Sequence, residues 1–313
     1  MKFPVFDLHC DTAKDLIGPA EENHSKLKKN QVHIDLERAG QLPGYAQCFA
    51  CFTTTGTKRD PVDYFEKKMA AVLREIDKNQ TIIRQAFSAD EIARNREAGI
   101  MSAILTIEGP AGFGFDPERL EELYKIGFRM GSLGWNEQNP LTGSHVTGGG
   151  LTDLGRIYLK EMQRLGMIVD VSHISDQGFW DIIDISEAPV VATHSNSRNV
   201  HPATRNVTDD MFRAICASGG VVGINLYPDF LGEKANLDTV CDHIFHFLEI
   251  DTDCRHISLG ADLDGIDCLP EGFAGVQDYP KISDRLLARG LSEDMVYRIF
   301  WSNAIEVFRK CCM

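Results

Sequence analysis

The chain has 313 residues, 43% of them hydrophobic, with 27 glycines and a formal net charge of −14. That balance suits a soluble α/β enzyme and excludes a disordered chain. The acidic excess argues against nucleic-acid or anionic-membrane partners, both of which want basic patches.

Residues 3–8 form an apolar run that predicts a buried strand, and His9 and Asp11 follow two positions apart. Their side chains then share one face, with Cys10 packing on the other. An imidazole and a carboxylate projecting together are half of a divalent metal site. The charged segment 18–30 reads as a surface loop or short helix, and 44–52 as a second strand. Cys48 and Cys51, the single CxxC among nine scattered cysteines, fall inside that strand and read as buried. No finger module or disulfide framework is implied, which suits a reducing compartment.

Segment 61–79 has helical periodicity with charges between its apolar positions, and 90–98 is a short helix. The strand 100–107 ends on Glu108-Gly109, a helix follows over 117–126, and 128–135 is the next strand. Residues 136–150, rich in Gly, Thr and Asn, read as a long functional loop. Its Gly148-Gly149-Gly150 lacks the Lys and Ser/Thr of a phosphate-binding loop. A capped helix over 152–165 leads into strand 167–171, ending on Ser172-His173. Helix 175–186 precedes strand 189–193, which ends on His194, and another helix begins at 207–210. Strand 220–226 ends on Tyr227, 237–250 is helical, and strand 256–260 runs to Asp262. Helices over 279–289 and 292–309 close the chain.

Eight apolar runs alternating with helices predict a parallel (β/α)8 TIM barrel, expected as one domain over residues 1–313. Active sites of such barrels lie at the C-terminal ends of the strands, where His9, Asp11, Glu108, His173, His194 and Asp262 all stand. Three imidazoles and three carboxylates are too many for one tetrahedral zinc. They suit two divalent ions about 3.5–4 Å apart with one carboxylate between them, and Glu108 is the natural bridge. Such a pair acidifies a shared water and polarises a carbonyl, leaving Asp262 to carry the proton to a leaving amine. Arg205, just after the His194 strand, could anchor a substrate carboxylate, and Tyr227 could donate a hydrogen bond to substrate. Asp170 is a candidate for orienting an imidazole, and Asp264, between glycines, reads as a turn residue. His24, His33, His201, His243, His246 and His256 carry no strand-end signature and read as surface or helix residues.

Asp7-Leu8-His9-Cys10-Asp11-Thr12, Ile107-Glu108-Gly109, Val169 to Ser175, Ala192-Thr193-His194-Ser195, Arg205 to Asp210 and Gly260 to Gly265 together resemble the membrane (renal) dipeptidase family of the amidohydrolase superfamily. The motifs keep the family's order over nearly the whole chain. The resemblance implies a zinc dipeptidase with two ions per chain, His9 and Asp11 on one, His173 and His194 on the other, and Glu108 bridging. It makes Asp262 the acid/base, Arg205 the anchor for the dipeptide's carboxylate and Tyr227 a substrate-side residue. Tolerance of a C-terminal D-residue is implied, and β-lactam hydrolysis in some members. One departure stands out. Where many members read Leu-Thr-His-Asn, with the His on the scissile carbonyl, this chain reads Leu133-Gly134-Trp135-Asn136. Trp135 binds no metal and accepts no proton, though its indole N–H can donate to substrate. His145, nearby in the loop, does not match in position.

The expected partner is a small dipeptide. A homodimer is open by analogy with other barrels, and neither nucleic acid nor a membrane is expected. With no signal-peptide pattern and no anchor tail, a cytoplasmic location is expected. The rivals are another amidohydrolase activity (deaminase, lactonase or N-acyl amino acid deacylase) and an inactive metal-bound relative acting as a binding protein. Several of the former bridge their metals with a carboxylated Lys on the fourth strand, which here has none. Trp135 is the sole support for the latter, and Asp262 counts against it.

Overall fold

The computed structural model describes residues 2–17, 26–56 and 59–312. Most of the charged segment expected at 18–30, including His24, lies outside them.

Nine strands form one sheet: β1 Val5–Cys10, β2 Tyr45–Phe52, β3 Ile83–Gln85, β4 Met101–Glu108, β5 Phe128–Ser132, β6 Ile168–Asp170, β7 Val190–Val191, β8 Val222–Ile224 and β9 Ile257–Leu259. They run in the order β7-β6-β5-β4-β2-β1-β9-β8, with every pairing parallel. A parallel bridge from Ala192 to Val222 joins the two outer members, so eight strands make a nearly closed barrel. This is the expected (β/α)8 architecture. β3 is an addition that the periodicity did not reveal, because three residues are too few to show a period. It pairs with Met101–Ala103 of β4, below the stretch from Leu105 that pairs with β5.

The helices on the barrel's outside start where local chemistry predicts. Thr152, Ser175 and Thr208 each accept a hydrogen bond from the backbone N–H three residues on, from Gly155, Gly178 and Met211. Each such cap stabilises its helix by about 1 kcal/mol. The expected single helix at 292–309 is instead Glu293–Tyr297 and Asn303–Cys311, joined by a π-helical turn, Arg298–Ser302. The wider turn brings Trp301 to 6.0 Å from the ring of Phe6, and Phe308 lies 5.3 Å from the same ring. With Leu8, Cys48, Ile104, Met130, Ile168 and Val191 they fill the lower barrel, so its interior is a plugged core with one open end. Cys48 and Cys51 are buried as expected, and all nine cysteines are free. No helix among the described residues is long and apolar enough to cross a membrane.

Candidate active site

The open end is where the strands deliver polar groups. The register between β1 and β2 shifts between Asp7 and Cys10. That irregularity breaks strict alternation. Asp7 turns outward, accepting hydrogen bonds from the Tyr279 hydroxyl and, at 2.9 Å, from the N–H of Ala261. Leu8 joins the interior cluster, His9 faces the mouth, and Cys10 packs in the outer shell.

His9 Nε2 lies 3.4 Å from Glu108 Oε2, 3.6 Å from Asp11 Oδ2 and 3.7 Å from Asp262 Oδ1. The other Glu108 oxygen, Oε1, is 2.9 Å from His173 Nε2 and 3.7 Å from His194 Nε2. The carboxylate of Glu108 is thus shared between His9 on one side and His173 with His194 on the other. Among the described residues, His9 Nε2, Asp11 Oδ1 and Glu108 Oε2 are buried without a hydrogen-bond partner. Leaving each so costs about 1–3 kcal/mol unless a ligand compensates.

The tautomers strengthen the point. His173 Nδ1 is 2.7 Å from Asn136 Oδ1, which can only accept, so Nδ1 carries the proton. Thr193 donates its one hydroxyl proton to Asp170 Oδ2 at 2.6 Å and therefore accepts from His194 Nδ1 at 2.7 Å. Both imidazoles then direct Nε2 lone pairs at one another across 3.0 Å. Two lone pairs repel there unless a cation sits between them and the Glu108 carboxylate. Sets His9/Glu108/His194 and His9/Asp11/Asp262 each bring ligand atoms within 4.8 Å of one another. The donor set of imidazoles and carboxylates fits zinc or a similar divalent ion.

Electrostatics divides the ligands. Burial, with the Arg205 charge adding, lowers His173 to about 3, and burial with the His9 charge drives His194 well below the usual histidine range. Burial also favours a neutral His9, but Glu108, Asp11 and Asp262 outweigh it and hold His9 well above that range. Glu108, despite its burial, is held well below the usual carboxylate range by His9 and His173. Asp262 goes the other way. Burial, opposed by His9 and reinforced by Asp11 and Glu108, raises it to about 7.

Asp262 and His173 both sit in the left-handed backbone region, at φ 60° and 72°. Such strain costs about 1–3 kcal/mol per residue and persists where the surroundings enforce it. Asn225 contributes, its Nδ2 donating to Asp262 Oδ2 at 3.2 Å and to the His194 carbonyl at 3.3 Å. Gly265 is required where two carboxylates crowd: a Cβ there would lie 2.1 Å from Asp262 Oδ1 and 2.5 Å from Asp11 Oδ2. Asp264 stays out of the cluster, as expected, and accepts from the Thr12 hydroxyl and the His33 N–H, each at 2.6 Å.

A cavity of about 420 Å³ opens above these ligands, lined by Asp11, Glu108, His173 and Asp262 and by Phe52, Trp135, Asn136, Tyr227 and Phe230. Trp135 packs against Phe52 with ring centroids 4.8 Å apart, and Tyr227 stands edge-on to Phe230 at 5.0 Å. Arg205 is buried beside this wall, 5.8 Å from the Phe230 ring, and donates from Nη1 to Ser195 Oγ at 2.7 Å. Its Nε and Nη2 are buried without partners among the described residues. His145 is engaged at both ring nitrogens, 2.8 Å from Asn136 Oδ1 and 3.0 Å from Thr204 Oγ1. It braces the amide that orients His173.

Sequence reasoning placed all six polar strand-end residues, and the fold brings them together. It read Asp170 as a partner of an imidazole, which it is only through Thr193. It missed Asn136 and Asn225, since nothing in a lone Asn after a strand marks it as an orienting group. His243, read as a helix or surface residue, is on a helix but fully buried.

A parallel barrel with imidazoles and carboxylates converging at its C-terminal mouth has the make-up of a metal-dependent hydrolase. The chain belongs to the membrane dipeptidase family, peptidase family M19, whose sequence profile matches residues 1–312. It is similar to an uncharacterized dipeptidase of Schizosaccharomyces pombe, 37% identical over 216 residues, 67% of this chain and 53% of that protein. The dipeptidase tcpJ of Claviceps purpurea is 31% identical over 295 residues, 89% of this chain and 69% of that protein. The crystal structure of a Rhodobacter sphaeroides metallopeptidase, liganded with a phosphinate mimic of the dipeptide L-Ala-D-Ala, superposes with a TM-score of 0.91. The two share 26% identity, over 99% of this chain and 100% of that one.

Proposed function

We propose that this protein hydrolyses the amide bond of free dipeptides, including those with a C-terminal D-residue, using two zinc ions held by His9, Asp11, Glu108, His173 and His194. The observation that carries the reading is the division of the Glu108 carboxylate between His9 and the His173/His194 pair, with lone pairs and orphaned oxygens aimed at the space between. When bound, two such ions would supply an acidified water and polarise the scissile carbonyl.

The chain's own residues do the rest. Arg205 offers Nε–H and Nη2–H, the parallel pair along one guanidinium edge, to the dipeptide's carboxylate as a bidentate fork. Asp262 accepts a proton from the attacking water and passes it to the leaving amine as the C–N bond breaks. Asn225 keeps that carboxylate aimed, and Asn136 and Thr193 keep His173 and His194 in the ligating tautomer. Trp135 and Phe52 form an apolar wall, with Tyr227 opposite as a substrate-side donor. A cavity of about 420 Å³ suits two residues, and a longer peptide would place no carboxylate at Arg205. The L-Ala-D-Ala mimic bound by the Rhodobacter sphaeroides relative supports tolerance of a D-residue.

The test is cleavage of L-L and L-D dipeptides and of tripeptides, with added zinc and after chelation. Chelator-sensitive cleavage of dipeptides alone is expected. Asp262→Asn should retain two metal equivalents and lose about 1,000-fold in turnover. Undiminished turnover in that variant would remove Asp262 from its role.

A further inference from the structure

The helix Pro61–Lys78, which follows β2, buries two charged residues on its inner face, Lys68 and Glu75. Glu75 is matched, accepting from the Leu27 N–H and from Lys78 Nζ, each at 3.0 Å. Lys68 is not. It is 0% exposed, donates to the Phe52 carbonyl at 2.6 Å, and lies over the rings of Phe52 at 4.8 Å and Tyr64 at 4.3 Å. It makes no ion pair with any described residue. An ammonium has three donors, and aromatic faces ease its charge without accepting as a carboxylate does. A buried cation left so calls for an anion.

That anion belongs in the cavity, because Lys68, Phe52, Tyr64 and Trp135 all line it. Asp11 and Glu108 are the carboxylates whose charge Lys68 feels. Both are metal ligands in the proposed function, and bound cations would take up their charge. Topology adds a direction. β2, which leads into the Lys68 helix, and β7, which leads to Arg205, are separated by three strands whichever way the barrel is followed. The strands that precede the two cations thus lie on opposite sides of the barrel, which suits one cation for each end of a bound dipeptide.

We infer that Lys68 forms a subsite for an anionic side chain on the dipeptide's N-terminal residue, so that dipeptides beginning with Glu or Asp are preferred. The inference rests on the dipeptidase reading and on Arg205 holding the C-terminal carboxylate. Its test compares L-Glu-L-Ala with the isosteric L-Gln-L-Ala, and uses L-Ala-L-Ala as reference. The ratio of kcat/KM for the Glu over the Gln substrate is expected to be about tenfold or more, carried mainly in KM. In Lys68→Met that ratio falls to about one. Lys68→Gln, which keeps a donor for the Phe52 carbonyl, serves if the Met variant does not fold. A wild-type ratio near one, with L-Ala-L-Ala cleaved, overturns the subsite and leaves the dipeptidase reading standing. A high ratio that persists in both variants also overturns it. Cleavage of none of the three peptides by zinc-loaded protein overturns both readings.

Discussion

His243 and Asp7, buried outside the barrel wall, are treated in the opposite way to the groups at its mouth. These two residues are fully matched. His243 Nδ1 accepts from the Ser197 N–H at 3.1 Å and its Nε2 donates to the Leu231 carbonyl at 3.0 Å. Asp7 accepts from the His9 N–H at 2.9 Å, the Ala261 N–H at 2.9 Å, Gln47 Nε2 at 3.2 Å and the Tyr279 hydroxyl. At the mouth, His9 Nε2, Asp11 Oδ1, Glu108 Oε2 and two Arg205 nitrogens have no partner among the described residues. His173 and Asp262 add left-handed backbone. Matched groups hold the fold together, whereas unmatched ones weaken the metal-free chain and wait for a ligand.

The largest test of that contrast is Asp7→Ala. It strips four donors of their acceptor and should destabilise the metal-free protein by about 3 kcal/mol or more in denaturant unfolding. A loss under about 1 kcal/mol would show that the outer shell is no better matched than the mouth.

Next comes acid. Burial lowers His243 to about 4, so the unfolded chain takes up that proton first, near its usual 6.5. The stability His243 contributes is therefore complete above pH 6.5 and is lost as pH falls from there towards 4. Between pH 7 and pH 5 the loss is about 2 kcal/mol, and it should vanish from the pH–stability curve of His243→Gln. Identical curves for both proteins would assign the acid sensitivity elsewhere.

The smallest effect has the opposite sign. Asp262→Asn, expected to cost turnover, removes a buried charge crowded by Asp11 and Glu108. It should raise the stability of the metal-free protein by about 1 kcal/mol. Destabilisation instead would mean that Asp262 is a structural group and the mouth is not under tension.

Much of this was legible in the sequence, for physical reasons. A parallel barrel buries both faces of its strands, so each reads as an apolar run, and a His, Asp or Glu at its end interrupts that run visibly. β3 escaped because it is short, and the π turn at Arg298–Ser302 because its periodicity differs little from that of an α-helix over five residues. Lys68 was unreadable for another reason. Spaced among Tyr64, Phe65, Met69 and Val72, it looks like any solvated charge between apolar positions, and only the fold turns it inward. Asn136, Thr193 and Asn225 act through partners distant in sequence, His173, Asp170 and Asp262. His9 adds a subtler case. Alternation puts it on the face of Asp7, yet the register shift in β1 sends the two to opposite sides of the barrel wall.

The plug beneath the barrel also sets an order of events at the ribosome. His9 lies on β1, which pairs with β9 and rests on a floor made by Trp301 and Phe308. Strands β1 and β2 emerge early, but the ring cannot close until β9 has been made, and its floor waits for residues beyond 300. The growing chain therefore carries His9 and Asp11 before the strand beside them and the floor beneath them exist. The mouth thus takes its final shape only once residues far along the chain have packed beneath the strand that carries His9.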